Sequence, residues 1–239
     1  MFDKCHHMAL CSQFAYMDEA KAKPAYKKLG YSYHKYIEVD GAQCHISWNK
    51  DNMTISFRGT EPDEFSDIKA DLRAFPKKGQ SGGWVHLGFQ GELNKVWPEL
   101  KSFIDKNKKN RNLYITGHSL GGAMATLASS RFKPDALYTY GSPRVGTRSF
   151  VKSFHTPHFR HVNNNDIVTS VPPAFLGYKH HGTLRYINYY GNIRKLTLWQ
   201  RVKDQWRGRL TALRKKIPFD GAYDHGMNHY VKYTEKNND

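Results

Sequence analysis

Cysteine is scarce in this chain: Cys5, Cys11 and Cys44 are the only three in 239 residues, and no two form a CxxC pair. Three thiols close at most one disulfide and leave one over. The missing pair excludes a zinc ribbon and a thioredoxin-type redox motif, and so few cysteines suit a reducing compartment. No stretch of about 18 apolar residues occurs, which excludes a transmembrane helix. The first twenty residues lack a basic start followed by an apolar run. A cleavable signal peptide is therefore not expected, and a cytoplasmic setting is favoured unless a signal stands further upstream. Acidic residues are also short, 21 Asp and Glu against 37 Lys and Arg, for a net charge of +16. That excess asks for a polyanionic neighbour, either nucleic acid or an anionic membrane surface. A basic nucleic-acid-binding protein is thus the competing functional class. It finds no RNP-like run, zinc-finger spacing or helix-turn-helix signal, so no nucleic acid is expected.

What is present is the material of a packed core: 39% apolar residues, of which many are aromatic, in a length that fits a single domain over residues 1–239. There are no internal repeats, and only the terminal KNND is polar enough to fray. Residues 31–58 read as three short strands, the first two joined at Asp40-Gly41, a strong hairpin signal. From Phe89 to Lys106 the residues Leu93, Val96, Leu100, Phe103 and Ile104 recur at helical spacing. Strand-like LYIT (113–116), helix-prone GGAMATLASSRF, strand-like ALYTY (136–140) and FRHVN (159–163) then follow in turn. This alternation predicts an α/β fold with a mostly parallel central sheet, flanking helices and an N-terminal antiparallel hairpin.

Within it, Gly117-His118-Ser119-Leu120-Gly121 matches G-x-S-x-G between a β-rich run and a helix-compatible one. A serine on so sharp a strand-to-helix turn has its Oγ exposed, and the flanking glycines remove Cβ atoms that would collide. The helix N-terminus places N–H groups and a positive dipole end beside developing negative charge, making the Leu120 N–H one oxyanion donor.

A serine hydroxyl needs a histidine to take its proton and a carboxylate to orient that histidine. Among later acids, Asp166 follows FRHVN directly and so lies on the same rim as the elbow, whereas Asp135 precedes its strand and belongs to the opposite rim. Of 13 histidines, position along the chain leaves His225 and His229. Their i, i+4 spacing is not a metalloprotease pair, because Gly226 stands where a glutamate is required, and no metal is expected.

Five segments in order, FRGT (57–60), VHLGF (85–89), GHSLGG (117–122), YGSPRVG (140–146) and NNDIVTSVPP (164–173), resemble the class 3 lipase family, the fungal-type lipases of the α/β-hydrolase fold. The resemblance spans most of residues 50–230. It implies a serine carboxylic-ester hydrolase acting on lipids, with Ser119, Asp166 and His225 as triad. His225 is selected over His229 by D-H-x-M-x-x-Y, and Thr60 becomes the second oxyanion donor. No cofactor is implied. The substrate class it implies is triacylglycerol or another ester, with phospholipase A1 or short-chain and feruloyl-type esterase activity as alternatives.

Two amphipathic segments complete the reading. Phe65, Ile68, Leu72 and Phe75 form a stripe in a short helix between Pro62 and Pro76, where lipases of this family carry a lid; residues 61–79 are the candidate. Residues 194–217 form a second helix with the stripe Trp199, Val202, Trp206, Leu210, Leu213 and Ile217, and residues 194–216 hold nine Lys and Arg against one acid, Asp204. The plain expectation is that this stripe packs on the domain and leaves a basic face to solvent. Trp beside a basic face equally suits peripheral contact with an anionic membrane or lipid surface.

Overall fold

Runs of β-branched and aromatic residues bounded by turn residues recur along the chain from Tyr33 to Ile187, and the longer strands fall in them. The computed structural model describes residues 4–60, 75–214 and 220–237. Two helices, α1 (Cys5–Phe14) and α2 (Glu19–Lys28), precede strands β1 (Tyr33–Val39), β2 (Ala42–Trp48) and β3 (Asn52–Phe57). β1 and β2 pair antiparallel through Asp40 and Gly41, both at positive φ, as the Asp-Gly turn predicts. After β4 (Pro76–Lys78) and β5 (Trp84–His86) come α3 (Leu87–Asn107), β6 (Asn112–His118), α4 (Leu120–Phe132) and β7 (Ala136–Tyr140). β8 (Gly146–Thr147), α5 (Arg148–Ser153), β9 (His158–Asn163), β10 (Tyr178–Lys179), β11 (Thr183–Ile187) and β12 (Ile193–Arg194) follow. The chain ends in α6 (Leu198–Arg214), α7 (Asp220–Tyr223) and α8 (Met227–Lys236).

Among the described residues, eight strands form the central sheet in the order β1-β2-β3-β6-β7-β9-β11-β12. The pairs β3–β6, β6–β7, β7–β9 and β9–β11 are parallel, and both edges are antiparallel. This is the architecture expected from the sequence, extended by β11, β12 and a small second sheet, β10-β8-β5-β4. The apolar row of α3 packs on one face: Leu93, Val96, Leu100 and Ile104 are buried with Ile55, Ile115 and Leu127, and Phe103 is partly buried against them. Each such side chain stabilises the fold by about 1.5–3 kcal/mol. The other face is covered by α1 and α8, whose Met8, Ala9 and Tyr230 are buried in one cluster with Ile187 of β11. All three cysteines are buried, and no disulfide joins them.

Residues 61–74 of the candidate lid lie outside the described residues; of its remainder, Pro76–Lys78 is strand β4. Two expectations meet the structure differently. The basic helix begins at Leu198, not 194, because Arg194 closes β12 and Thr197 forms a reciprocal cap with Gln200, its Oγ1 accepting from Gln200 N–H at 3.3 Å and its N–H donating to Gln200 Oε1 at 2.9 Å. The helix also packs the other way round: Asp204, Gly208 and Ala212 face the domain, while Trp199, Trp206, Leu210 and Leu213 are exposed. Of the terminal KNND, Lys236 closes α8 and Asn237 accepts from Ile193 N–H at 2.9 Å, so neither frays; Asn238 and Asp239 lie outside the described residues.

Candidate active site

β6 and α4 meet at Ser119 with no intervening loop. Ser119 has φ +56° and ψ −129°, a conformation that L side chains avoid and that the junction imposes. The turn is possible because its neighbours are glycines: a Cβ on Gly117 would strike the Gly121 carbonyl, and one on Gly121 the Phe57 carbonyl. Ser119 N–H donates to Tyr140 O at 3.1 Å, tying the elbow to β7. Leu120 is the first residue of α4, so its N–H has no acceptor within the helix. The strand β3 delivers Gly59 and Thr60 beside it; a Cβ on Gly59 would lie 2.6 Å from His118 O and 3.2 Å from Ser119 Cβ.

Asp166 follows β9, and the chain returns from α7 to set His225 against it. His225 Nδ1 lies 3.0 Å from both carboxylate oxygens of Asp166, and both residues are buried. Asp166 Oδ1 also accepts from Val168 N–H at 2.9 Å, and Oδ2 accepts from the Tyr230 hydroxyl at 2.5 Å. Burial, together with Asp166, drives the Tyr230 hydroxyl's pKa well above its ordinary value, so it remains a donor. Gly141, at the end of β7 with φ +57°, leaves room for the pair: a Cβ there would meet Asp166 Oδ2 at 2.7 Å and His225 Nδ1 at 2.8 Å.

His118 supports the arrangement from the elbow itself. Its ring stacks on that of His225 with centroids 4.4 Å apart. Nε2–H donates to the His225 carbonyl at 2.7 Å, and Nδ1 accepts from the Tyr16 hydroxyl at 2.7 Å. Burial, with His225 adding to it, pushes the His118 pKa well below the ordinary range, and its two partners suit a neutral ring. Sequence reasoning treats His118 as the variable position of the pentapeptide and Tyr230 only as an aromatic. Their hydrogen bonds come from tertiary packing and leave no local pattern.

The structure therefore brings Ser119, Leu120, Thr60, Asp166 and His225 to one end of the central sheet. The alternatives lie elsewhere. Asp135 accepts from Leu113 N–H at 2.7 Å at the far end of β6. His229 stacks on Tyr223 and Tyr233. His180 faces the Thr169 carbonyl at 2.8 Å. Among the described residues, no three His, Cys, Asp or Glu side chains cluster so as to hold a metal.

Lipase (class 3) is the family matched by residues 54–176, just over half of the chain. The chain belongs to the class 3 lipases. Among its relatives, the toxin TseL of Vibrio cholerae is 31% identical over 203 residues, covering 64% of this chain and 31% of the toxin. The secreted mono- and diacylglycerol lipase 1 of Fusarium solani is 36% identical over 161 residues, 61% of this chain and 44% of that lipase. The chain thus spans less than half the length of each of these two curated relatives. In three dimensions, the Rhizomucor miehei triacylglyceride lipase superposes with a TM-score of 0.63 at 27% identity, covering 76% of this chain and 78% of its own. A triacylglycerol lipase whose catalytic centre is a serine protease triad superposes equally well, at 28% identity. This class 3 lipase shares their mostly parallel sheet and antiparallel N-terminal strands.

Proposed function

We propose that this class 3 lipase hydrolyses carboxylic esters of lipids through an acyl-enzyme on Ser119. The observation that carries the reading is the strained serine at the α4 N-terminus, set on the same rim as an Asp166–His225 pair. Asp166 accepts from Nδ1–H and so fixes the imidazole tautomer, which makes Nε2 the proton-exchanging nitrogen. Ser119 Oγ attacks the acyl carbonyl as its proton passes to Nε2. The tetrahedral oxyanion takes hydrogen bonds from the N–H groups of Leu120 and Thr60, each donor of this kind contributing about 10²–10³ in rate. The C–O bond then breaks, and Nε2–H gives its proton to the departing alkoxide. A water, deprotonated by the same nitrogen, attacks the acyl-enzyme and restores Ser119.

The substrate we favour is an acylglycerol, in keeping with the acylglycerol lipases among the relatives. Phospholipid hydrolysis of the phospholipase A1 type is the second reading, favoured by the net charge of +16, which suits peripheral contact with an anionic lipid surface. A short-chain or feruloyl-type ester is the remaining alternative.

The test is labelling with a fluorophosphonate probe alongside turnover of p-nitrophenyl esters of rising chain length. Wild type should label and turn over. Ser119→Ala should lose labelling and more than about 10⁴-fold in kcat, with His225→Ala similarly impaired. A wild-type protein that neither labels nor turns over any ester would remove the hydrolase reading. The chain-length profile, run beside a diacylphosphatidylglycerol assay, separates the three substrate classes.

A further inference from the structure

An amphipathic helix on a domain surface ordinarily turns its apolar stripe inward. α6 does the reverse. Asp204, Gly208 and Ala212, spaced four apart, make its buried line. The buried Asp204 accepts at Oδ2 from Asn164 Nδ2 at 3.0 Å, from the Tyr186 hydroxyl at 3.1 Å and from Tyr189 N–H at 2.9 Å. One turn on, Gly208 lets the backbone close on Asn164 and Asn165: a Cβ there would meet Asn164 Oδ1 at 2.7 Å and Asn165 Nδ2 at 2.8 Å. Asn165 Nδ2 donates to Gln205 O at 3.0 Å, and Gln205 Nε2 to Asn164 O at 3.2 Å. Asn164 and Asn165 immediately precede Asp166. The helix is therefore clamped to the loop that carries the proposed triad acid.

At about 100° per residue, the line through Asp204, Gly208 and Ala212 lies diametrically opposite the one through Trp199, Val202, Trp206, Leu210 and Leu213. Four of those apolar residues point away from the domain: Trp199 is 68% exposed, Trp206 58%, Leu210 51% and Leu213 74%. Basic residues border them on both sides, Arg209 on one and Lys203, Arg214 and Arg207 on the other. Lys203 stands over the Trp199 ring at 5.9 Å and Arg209 over Trp206 at 6.0 Å. The single acid of the helix is turned inward, where its Oδ1 lies 4.0 Å from Arg207 Nη1 and engages only that base of the outer set. A soluble surface gains nothing from displaying two Trp and two Leu in a row, whereas a bilayer interface accommodates Trp at headgroup depth, Leu below it and bases against lipid phosphates.

We propose that α6 is a docking helix for an anionic lipid bilayer, lying in the interface with Trp199, Trp206, Leu210 and Leu213 inserted and Lys203, Arg209 and Arg214 on the headgroup phosphates. The inference rests on the lipid-hydrolase reading for its purpose, but its test does not. The occupant is chosen by charge complementarity: a ring of bases around an apolar stripe matches an anionic amphiphile, and each base near such a surface adds roughly fivefold to binding.

The experiment uses the full chain carrying Ser119→Ala, so that no lipid is consumed. Co-sedimentation is measured with vesicles of phosphatidylcholine and of an equal mixture of phosphatidylcholine and phosphatidylglycerol, at low and high salt, while Trp emission is followed. Expected are binding to the mixed vesicles, weakening with salt, and a blue shift of emission on binding. Trp199→Ala with Trp206→Ala should abolish the shift and most of the binding. Lys203→Gln with Arg209→Gln should weaken binding roughly 30-fold and flatten its salt dependence. All four substituted side chains project outward, so the thermal midpoint, measured for every variant, should stay where the parent's is.

Equal binding to neutral and mixed vesicles, or full binding by the Trp double variant, would overturn the proposal. So would a protein that ignores vesicles but binds a DNA duplex through Lys203 and Arg209, or a dimer that Trp206→Ala dissociates. Loss of vesicle binding beside intact ester hydrolysis by the wild type removes the docking helix alone. The converse result removes the hydrolase alone.

Discussion

A buried carboxylate needs donors on both oxygens, and Asp166 has three: the His225 ring, the Val168 N–H and the Tyr230 hydroxyl. Tyr230 is doubly committed, since its oxygen also accepts from Asn163 N–H at 3.0 Å. It lies behind the acid and acts on the reaction through it, as a positioning residue. Tyr230→Phe keeps the ring packing and removes both bonds. The carboxylate then gains freedom to rotate, and a buried backbone N–H loses its acceptor. The expected outcome is a fall in kcat on a soluble ester on the order of tenfold with KM unchanged, together with about 1–3 kcal/mol of lost stability. Steady-state kinetics and thermal unfolding of the same preparation measure the two halves; a changed KM with unchanged kcat would place Tyr230 in substrate binding instead. The residues whose demands are local were legible in the sequence. Ser119 and its glycines announce themselves because a tight strand-to-helix turn restricts residue type within five positions. The pairing of Asp166 with His225, by contrast, crosses 59 positions and was narrowed only as far as two histidines before family resemblance decided it.

At the scale of elements, legibility follows how each helix meets the sheet. α3 was readable because it buries a continuous apolar row. α1 was not, because its buried face mixes Cys5, Met8, Ala9, Cys11 and Ser12 and makes part of its contact through hydrogen bonds. Ser12 Oγ lies 2.8 Å from Thr116 Oγ1, Thr116 donates to the Met8 carbonyl at 3.3 Å, and the Tyr140 hydroxyl donates to the Cys5 carbonyl. α6 misled the pattern for a related reason: the surface beneath it presents Asn164, Tyr186 and the Tyr189 N–H, which need an acceptor, so Asp204 goes inward in place of the apolar row. The N-terminal helix lies outside residues 54–176 but packs against β6, the strand that ends at the elbow, and Tyr16 just beyond it reaches His118. Met8 is its most deeply buried large side chain. Met8→Ala is expected to destabilise the protein by about 2–5 kcal/mol, lowering the thermal midpoint by roughly 4–20 °C. Circular dichroism melting reads this directly. A shift of less than a degree would mean that α1 is an appendage and not part of the cooperative unit.

Over the whole molecule, the surplus of positive charge has an internal counterpart in the histidines. Burial pushes the His45 pKa down to about 3 and the His86 pKa down to about 4, and drives His158 well below the ordinary range. These rings stay neutral in the native protein while the same residues in the unfolded chain protonate near 6.5. Between about pH 6.5 and pH 4 the unfolded state therefore binds more protons, so stability falls as pH falls through that window. Each such ring contributes up to about 1.4 kcal/mol per pH unit. His86 is buried, and its Nδ1 also accepts from Phe89 N–H at 3.3 Å and caps α3, a role that protonation abolishes. Asparagine offers an acceptor at the same helix end and does not titrate. In His86→Asn, the dependence of unfolding free energy on pH between 6.5 and 4.5 should accordingly be shallower than in the wild type by up to about 1.4 kcal/mol per unit. Denaturant unfolding at a series of pH values measures both slopes. The separate contribution of surface repulsion among the excess bases is screened by salt, whereas the buried-histidine term is not. A slope that vanishes for both proteins at high salt would therefore assign the acid sensitivity to net charge and remove His86 from its account.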